Sequence, residues 1–142
     1  MTQTPYGDYY RPEDDRMDEW DMVREFHEAY GLPVAVDDAA VDGMDLRREL
    51  IEEERRELLK ELVDLAYVTV GEDVEWGEKY PRSITVLKLF AEAMGFDFDG
   101  AFREVHRSNM SKLGSDGKPV KREDGKVLKG PNYTPADMTD FV

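Results

Sequence analysis

Between Met17 and Tyr30 the apolar positions Trp20, Val23, Phe26 and Tyr30 recur at helical spacing, and Gly31 and Pro33 stop the pattern. Residues 1–16 are polar and carry Pro, Gly and Tyr, which predicts a flexible N-terminal arm. Residues 34–43 read as a loop. A long periodic stretch follows, DLRRELIEEERRELLKELVDLAYVTVG, with Asp42 or Asp45 as its cap. No Gly or Pro interrupts it before Gly71. It predicts one helix over residues 45–71, about 39 Å long, that can fray into EDVEWGEKY before Pro81. Ser83 can cap a third helix, ITVLKLFAEAM, which Gly95 closes. Asp97 or Asp99 starts a fourth, from Gly100 to Lys112. KPVKREDGKVLKG then places two short β-prone runs around Glu123-Asp124-Gly125, a hairpin signal. Pro131 and Pro135 imply an extended tail. The expected fold is mainly α: a helical bundle with one long central helix and a C-terminal β-hairpin and tail.

On a helical wheel with Glu53 at zero, Glu53, Glu54, Glu57, Glu61 and Asp64 fall within an arc of roughly 100°. Ile51, Leu58, Leu59, Leu62, Val63, Leu65, Ala66 and Val70 occupy the other side, at about 120–280°. A solvated acidic face is one reading of this stripe. Two features favour another. Glu53, Glu57 and Glu61 repel at i,i+4 spacing unless something neutralises them. Leu50 and Val68, both at about 60°, bracket the acids along their own line, as in a face buried at an interface. Buried carboxylates need a counter-charge. Arg55, Arg56 and Lys60 project elsewhere on the wheel, so a divalent metal is the candidate, and oxygen-only ligands suit Mg²⁺ or Mn²⁺.

Composition narrows the function classes. The chain has 142 residues, enough for one domain, and oligomerisation would help so short a chain bury its surface. It has no cysteine, which excludes disulfides, thiolate metal sites and a cysteine nucleophile. No apolar run suits a bilayer or a signal peptide, so no membrane partner is expected and the cytoplasm is the expected compartment. A net charge of −14 opposes direct nucleic-acid binding. Charge is segregated, however: residues 8–78 are acidic, whereas residues 103–129 are rich in Lys and Arg. A metal could sit on one region and an anion on the other. His27 and His106 lie within helical patterns and read as core or surface residues, and Trp20 and Trp76 as packing residues.

Glu53-Glu54-x-x-Glu57 followed by Glu61-x-x-Asp64 resembles the EExxE…ExxD signature of the MazG-like all-α nucleoside triphosphate pyrophosphohydrolases. VREFHEAYGLP (23–33), ELVDLAYVTVG (61–71) and FREVHRSNMSKLGSDGKPVKREDGKVLKGPNYTP (102–135) resemble the phosphoribosyl-ATP pyrophosphohydrolase-like branch. The resemblance implies a helical pyrophosphohydrolase domain over 17–135, with a substrate-binding basic segment 107–135 and a tail 136–142. It implies Mg²⁺-dependent hydrolysis of an NTP or dNTP to the monophosphate and pyrophosphate, in the service of nucleotide-pool control. Glu54, Glu57, Glu61 and Asp64 would be the metal ligands, and Glu53 would assist or orient water. Asn109 and Lys112 would touch phosphate or sugar, Lys126 and Lys129 would close from the hairpin, and Tyr133 would stack on a base.

One departure bears on mechanism. In the family the two acidic motifs lie on two antiparallel helices joined by a loop. Here only Leu58-Leu59-Lys60 separate Glu57 from Glu61, and no hairpin closes in three residues without a turn former. Extra sequence, EDVEWGEKYPRSITVLKLF, follows Gly71 instead. Either two long helices pack antiparallel across a two-fold axis near residue 59, giving a homodimer or dimer of dimers with swapped helices, or the site is lost. The competing functions are an inactive nucleotide-binding or interaction relative, and an acidic effector of a basic partner, which the basic C-terminal segment opposes.

Overall fold

The computed structural model describes residues 17–35, 44–77, 79 and 82–142; the expected arm 1–16, the Asp42 cap and Pro81 lie outside them. Four α-helices form among the described residues: α1 (Glu19–Ala29), α2 (Met44–Trp76), α3 (Arg82–Ala93) and α4 (Phe98–Met110). A 3-10 turn, Thr139–Phe141, ends the chain. The chain divides into two units at the first turn of α2, the first ending at Asp45 and the second running Leu46–Val142.

In the first unit, Asp18 caps α1 by accepting the Asp21 N–H at 2.8 Å. His27 has a structural role: its Nδ1 lies 2.7 Å from the Pro33 carbonyl, tying the following loop to the last turn. Trp20, Val23, Phe26 and Tyr30 form the expected apolar stripe, yet all four are exposed. The Phe26 and Tyr30 rings meet at 4.6 Å between centroids, and the Arg24 guanidinium lies over Trp20.

In the second unit α2 is the uninterrupted rod that the sequence predicts, and it runs past the expected end at Gly71. One helical glycine costs about 1 kcal/mol, too little to end a helix of this length. It ends where Gly77 adopts φ +70°. α3 begins at Arg82, so Ser83 lies inside the helix instead of capping it. Gly95, at φ +82°, closes that region, and the Phe96 N–H donates back to the Ala91 carbonyl at 3.0 Å. Asp97 caps α4 by accepting from the Gly100 N–H at 3.0 Å.

Leu59, Val63 and Ala66 of α2, Ala91 of α3, and Phe98, Ala101 and Val105 of α4 form the core with Phe96 and Met138. The last is unexpected, because residues 136–142 read as a tail. They instead fold onto α4 as a strap: Met138 is buried, the Asp97 N–H donates to the Phe141 carbonyl at 2.9 Å, and Phe141 covers Gly100. A Cβ at Gly100 would sit 2.8 Å from the Phe141 ring, so only glycine permits this approach.

Three expectations change. The apolar arc of α2 is wider than its own unit covers. Leu59, Leu62, Val63 and Ala66 turn inward and Val70 is half-buried, whereas Ile51, Leu58 and Leu65 are exposed. Trp20 and Trp76 are exposed, not packed. The hairpin turn forms, with Gly125 N–H donating to the Arg122 carbonyl, but the flanking runs make a single antiparallel bridge, Lys121–Val127, and no strand forms among the described residues. Leu59 is fully buried in the centre of α2. Leu59→Ala is expected to lower stability by about 2–5 kcal/mol in urea denaturation.

Candidate functional site

The uninterrupted α2 fixes the carboxylates as a line. Glu54 and Asp64 are ten residues apart, about 15 Å along the axis, beyond the reach of one ion. Glu53, Glu54, Glu57 and Glu61 are exposed and Asp64 is half-buried. Among the described residues no three acids or imidazoles gather closely enough to hold a metal. The oxygen donors have the right chemistry for Mg²⁺ or Mn²⁺, but one chain does not assemble them. One wheel reading also needs correction. Lys60 does not point away from the stripe: its Nζ donates to Asp64 Oδ2 one turn on. The two positions differ by only about 40° on the wheel, and the long lysine side chain spans that gap.

Two grooves flank this part of α2. The first, of about 580 Å³, runs between α2 and the strap and is lined by Arg56, Glu57, Lys60, Glu61, Asp137 and Met138. The second, of about 520 Å³, joins Lys60, Asp64 and Tyr67 of α2 to Asn109 and Lys112, with Tyr133 from the segment beyond the turn. Residues assigned from separate stretches of sequence therefore share one cavity. The Lys129 ammonium lies 4.7 Å from the Tyr133 ring centroid, a cation–π contact on the face expected to stack on a base. Lys126 is exposed and lines neither groove, although its backbone N–H secures the turn by donating to Asp124 Oδ1 at 3.1 Å. Glu53 lines neither groove, and Glu54 lies on the opposite flank beside Arg47 and Ile51.

The motif Arg107-Ser108-Asn109-Met110-Ser111-Lys112 divides its labour. Arg107 donates to Thr134 Oγ1 and to the Pro135 carbonyl, Ser108 Oγ donates to the Thr134 carbonyl at 2.9 Å, and Ser111 Oγ accepts from the Thr134 N–H at 3.0 Å. These three side chains hold Thr134 and Pro135, the chain leading into the strap, leaving Asn109 and Lys112 to face the groove. Gly130 completes the closure. Its N–H donates to the Lys112 carbonyl at 2.9 Å, and a Cβ there would meet the Leu113 and Lys112 carbonyl oxygens at 2.5 and 2.6 Å. Sequence reasoning missed Arg107, Ser108, Ser111 and Gly130 as builders of the site. The glycine was the available signal, since it marks a close approach of two backbone segments. Tyr67 was also missed; its hydroxyl lies 2.9 Å from His106 Nδ1, which links α2 to α4 beside the groove.

Glu104 anchors the strap from below. The Arg107 guanidinium, hydrogen-bonded to it, holds its carboxyl below the usual carboxylate range, burial opposes this, and the Asp137 N–H adds to it.

No protein-family model and no curated protein matches the chain. Among solved structures, a provisionally assigned NTP pyrophosphohydrolase from Exiguobacterium sp. 255-15 is 23% identical, with a TM-score of 0.37, and the match covers 82% of this chain and 88% of that one. A likeness at that level carries no argument about fold or function. No helix among the described residues is long and apolar enough to cross a membrane.

Two outcomes follow from the strap. Glu104 has a lowered folded pKa, so its stabilising contribution is complete above the unfolded value of about 4.3 and is lost as pH falls through the folded value. Thermal melts between pH 6 and pH 3 should show a larger loss for the native chain than for Glu104→Gln. Gly130→Ala should destabilise the closure by about 1–3 kcal/mol in urea denaturation and speed exchange of the amide at position 130.

Proposed function

We propose that this chain is a divalent-cation-dependent nucleoside triphosphate pyrophosphohydrolase, converting an NTP or dNTP and water to the monophosphate and pyrophosphate. The observation that carries this reading is the groove in which Asp64, Asn109, Lys112 and Tyr133 meet. An end of the acidic stripe, a cationic group, an amide and an aromatic ring are what a metal-bound polyphosphate joined to a sugar and a base calls for. The α2 signature, EExxE followed by ExxD, supports the same reaction class.

Each residue has a role that its chemistry supports. Lys112 supplies a point charge for phosphate, and Asn109 offers both a donor and an acceptor to phosphate or sugar. Tyr133 provides a face for the base. A base that takes that face displaces Lys129, whose ammonium then turns toward the phosphates. Lys126, on the turn, approaches from the same segment. Mg²⁺, or Mn²⁺ in its place, would screen the polyphosphate from the carboxylates and polarise a phosphoryl oxygen. Glu54, Glu57, Glu61 and Asp64 are the donors suited to it, with Glu53 beside them. No catalytic step is assigned to the ion, because one chain leaves these donors in a line.

The second reading is a nucleotide-binding relative without activity, favoured by that same linear arrangement. Pyrophosphate release from a panel of NTPs and dNTPs, with Mg²⁺ and with chelator, separates the two. The expected result is Mg²⁺-dependent release that Glu57→Gln reduces to background without lowering the melting temperature. Lys112→Met should raise KM by about tenfold, the scale of one lost charged hydrogen bond. Binding without release from any nucleotide would establish the second reading.

A further inference from the structure

The outward side of α2 carries its own apolar line. Ile51, Leu58 and Leu65 recur every seven residues and are 58%, 37% and 53% exposed, and Val68, three residues further on, is 72% exposed. Glu54 and Glu61 occupy the intervening positions, so Ile51, Glu54, Leu58, Glu61, Leu65 and Val68 fall on the a and d positions of a heptad seam. A shallow groove of about 380 Å³, lined by Arg47, Leu50, Ile51, Glu54 and Leu58 among others, marks one end of it. Apolar a positions on a long straight helix are normally covered by a second helix.

We propose that the cover is α2 of a second copy of this chain, packed antiparallel about a two-fold axis between residues 59 and 60, and that the carboxylate site is complete only in that pair. Three observations converge on this occupant and this direction. First, the register is self-complementary. Ile51 meets the partner's Val68, Glu54 meets the partner's Leu65, and Leu58 meets the partner's Glu61, so no acidic d position faces another. A parallel pair would set each d-position glutamate against its own copy. Second, the ends match in charge: Arg47 falls opposite the partner's Glu72. Third, the acids that a single rod holds apart come level. Glu54 and Glu57 lie alongside the partner's Glu61 and Asp64, at both ends of the axis by symmetry. The third argument rests on the proposed function; the first two do not.

The absence of cysteine makes the register directly readable. Ile51→Cys and Val68→Cys alter exposed positions, so neither should perturb the fold. In the antiparallel pair position 51 and its own copy lie seventeen residues apart, about 25 Å, and the same holds for position 68. A short bismaleimide should therefore link a mixture of the two variants into a covalent dimer and link neither variant alone. Linking of each variant to itself would indicate parallel pairing and overturn the proposal. So would a mass of one chain in light scattering at micromolar concentration, which would also be the result if another segment of the same chain covered the seam. Cross-linking without pyrophosphate release from any nucleotide would uphold the interface and overturn the enzymatic reading; release from a monomer would do the reverse.

Discussion

The rigidity of α2 is the constraint on which the rest depends. Leu58-Leu59-Lys60 gives the backbone no reason to leave the helical geometry, so Glu57 and Glu61 stay on one rod. Every later feature follows from that. The inward residues Leu59, Val63 and Ala66 nucleate the core with α4. The acids project at a fixed rise, and the outward leucines remain without cover in their own unit. A turn at this point would fold the acids against each other and bury both apolar sides within one chain. Its absence separates the two.

α4 and the strap build the other wall of the site. Met138 and Phe141 pack into the core, which places residues 134–137 along α4. Arg107, Ser108 and Ser111 bind that backbone, and Gly130 lets the preceding segment rest on the carbonyls of Lys112 and Leu113. Tyr133 and Lys112 come together because the chain between them is fastened at both ends. The basic segment is therefore an ordered wall whose shape depends on buried apolar contacts outside it, while its Lys118, Lys121, Arg122, Lys126 and Lys129 side chains are exposed.

Local signals were legible in the sequence where one residue decides a local geometry. Asp97 as a cap, Gly95 as a helix end and the turn at Asp124-Gly125 each need no long-range partner. The continuity of α2 through Leu58-Leu59-Lys60 was legible too, but its end was not: the helix passes Gly71 and runs to Trp76. What could not be read depends on distant packing. The strap carries no periodicity, so nothing in PADMTDFV announces that Met138 enters the core. The wheel placed Ile51, Leu58 and Leu65 with Leu59 and Val63 because it measures polarity, not which neighbour is available. Lys60 is a different case: the wheel itself puts it at about 340°, beside Glu53, so its pairing with Asp64 was open to a full reading of the wheel. The shared cavity of Asp64, Asn109, Lys112 and Tyr133 joins α2 to the segment after α4, and spacing along the sequence alone does not give it.

The exposed stripe of the single chain and its burial in the proposed pair are compatible on electrostatic grounds. Two like charges about 7 Å apart repel by roughly 0.6 kcal/mol at the dielectric of water and about 2.4 kcal/mol at an effective value of 20. Pairing brings Glu54, Glu57, Glu61 and Asp64 near their symmetry copies, so the repulsion is summed over many pairs. Lys60 offsets part of it at Asp64, and Arg47 with the partner's Glu72 offsets a little at the ends. The rest falls to whatever cation enters the interface. Without that cation, exposure of the stripe to solvent avoids this repulsion. With it, the apolar layer Ile51–Val68 can close at little electrostatic cost. Association and cation binding then favour each other by mass action, each stabilising the state that the other requires. In the proposed pair the missing turn in α2 would have a thermodynamic consequence: within one chain the acids would be held together by covalent connectivity, whereas in the pair their assembly would depend on protein concentration and on the ion.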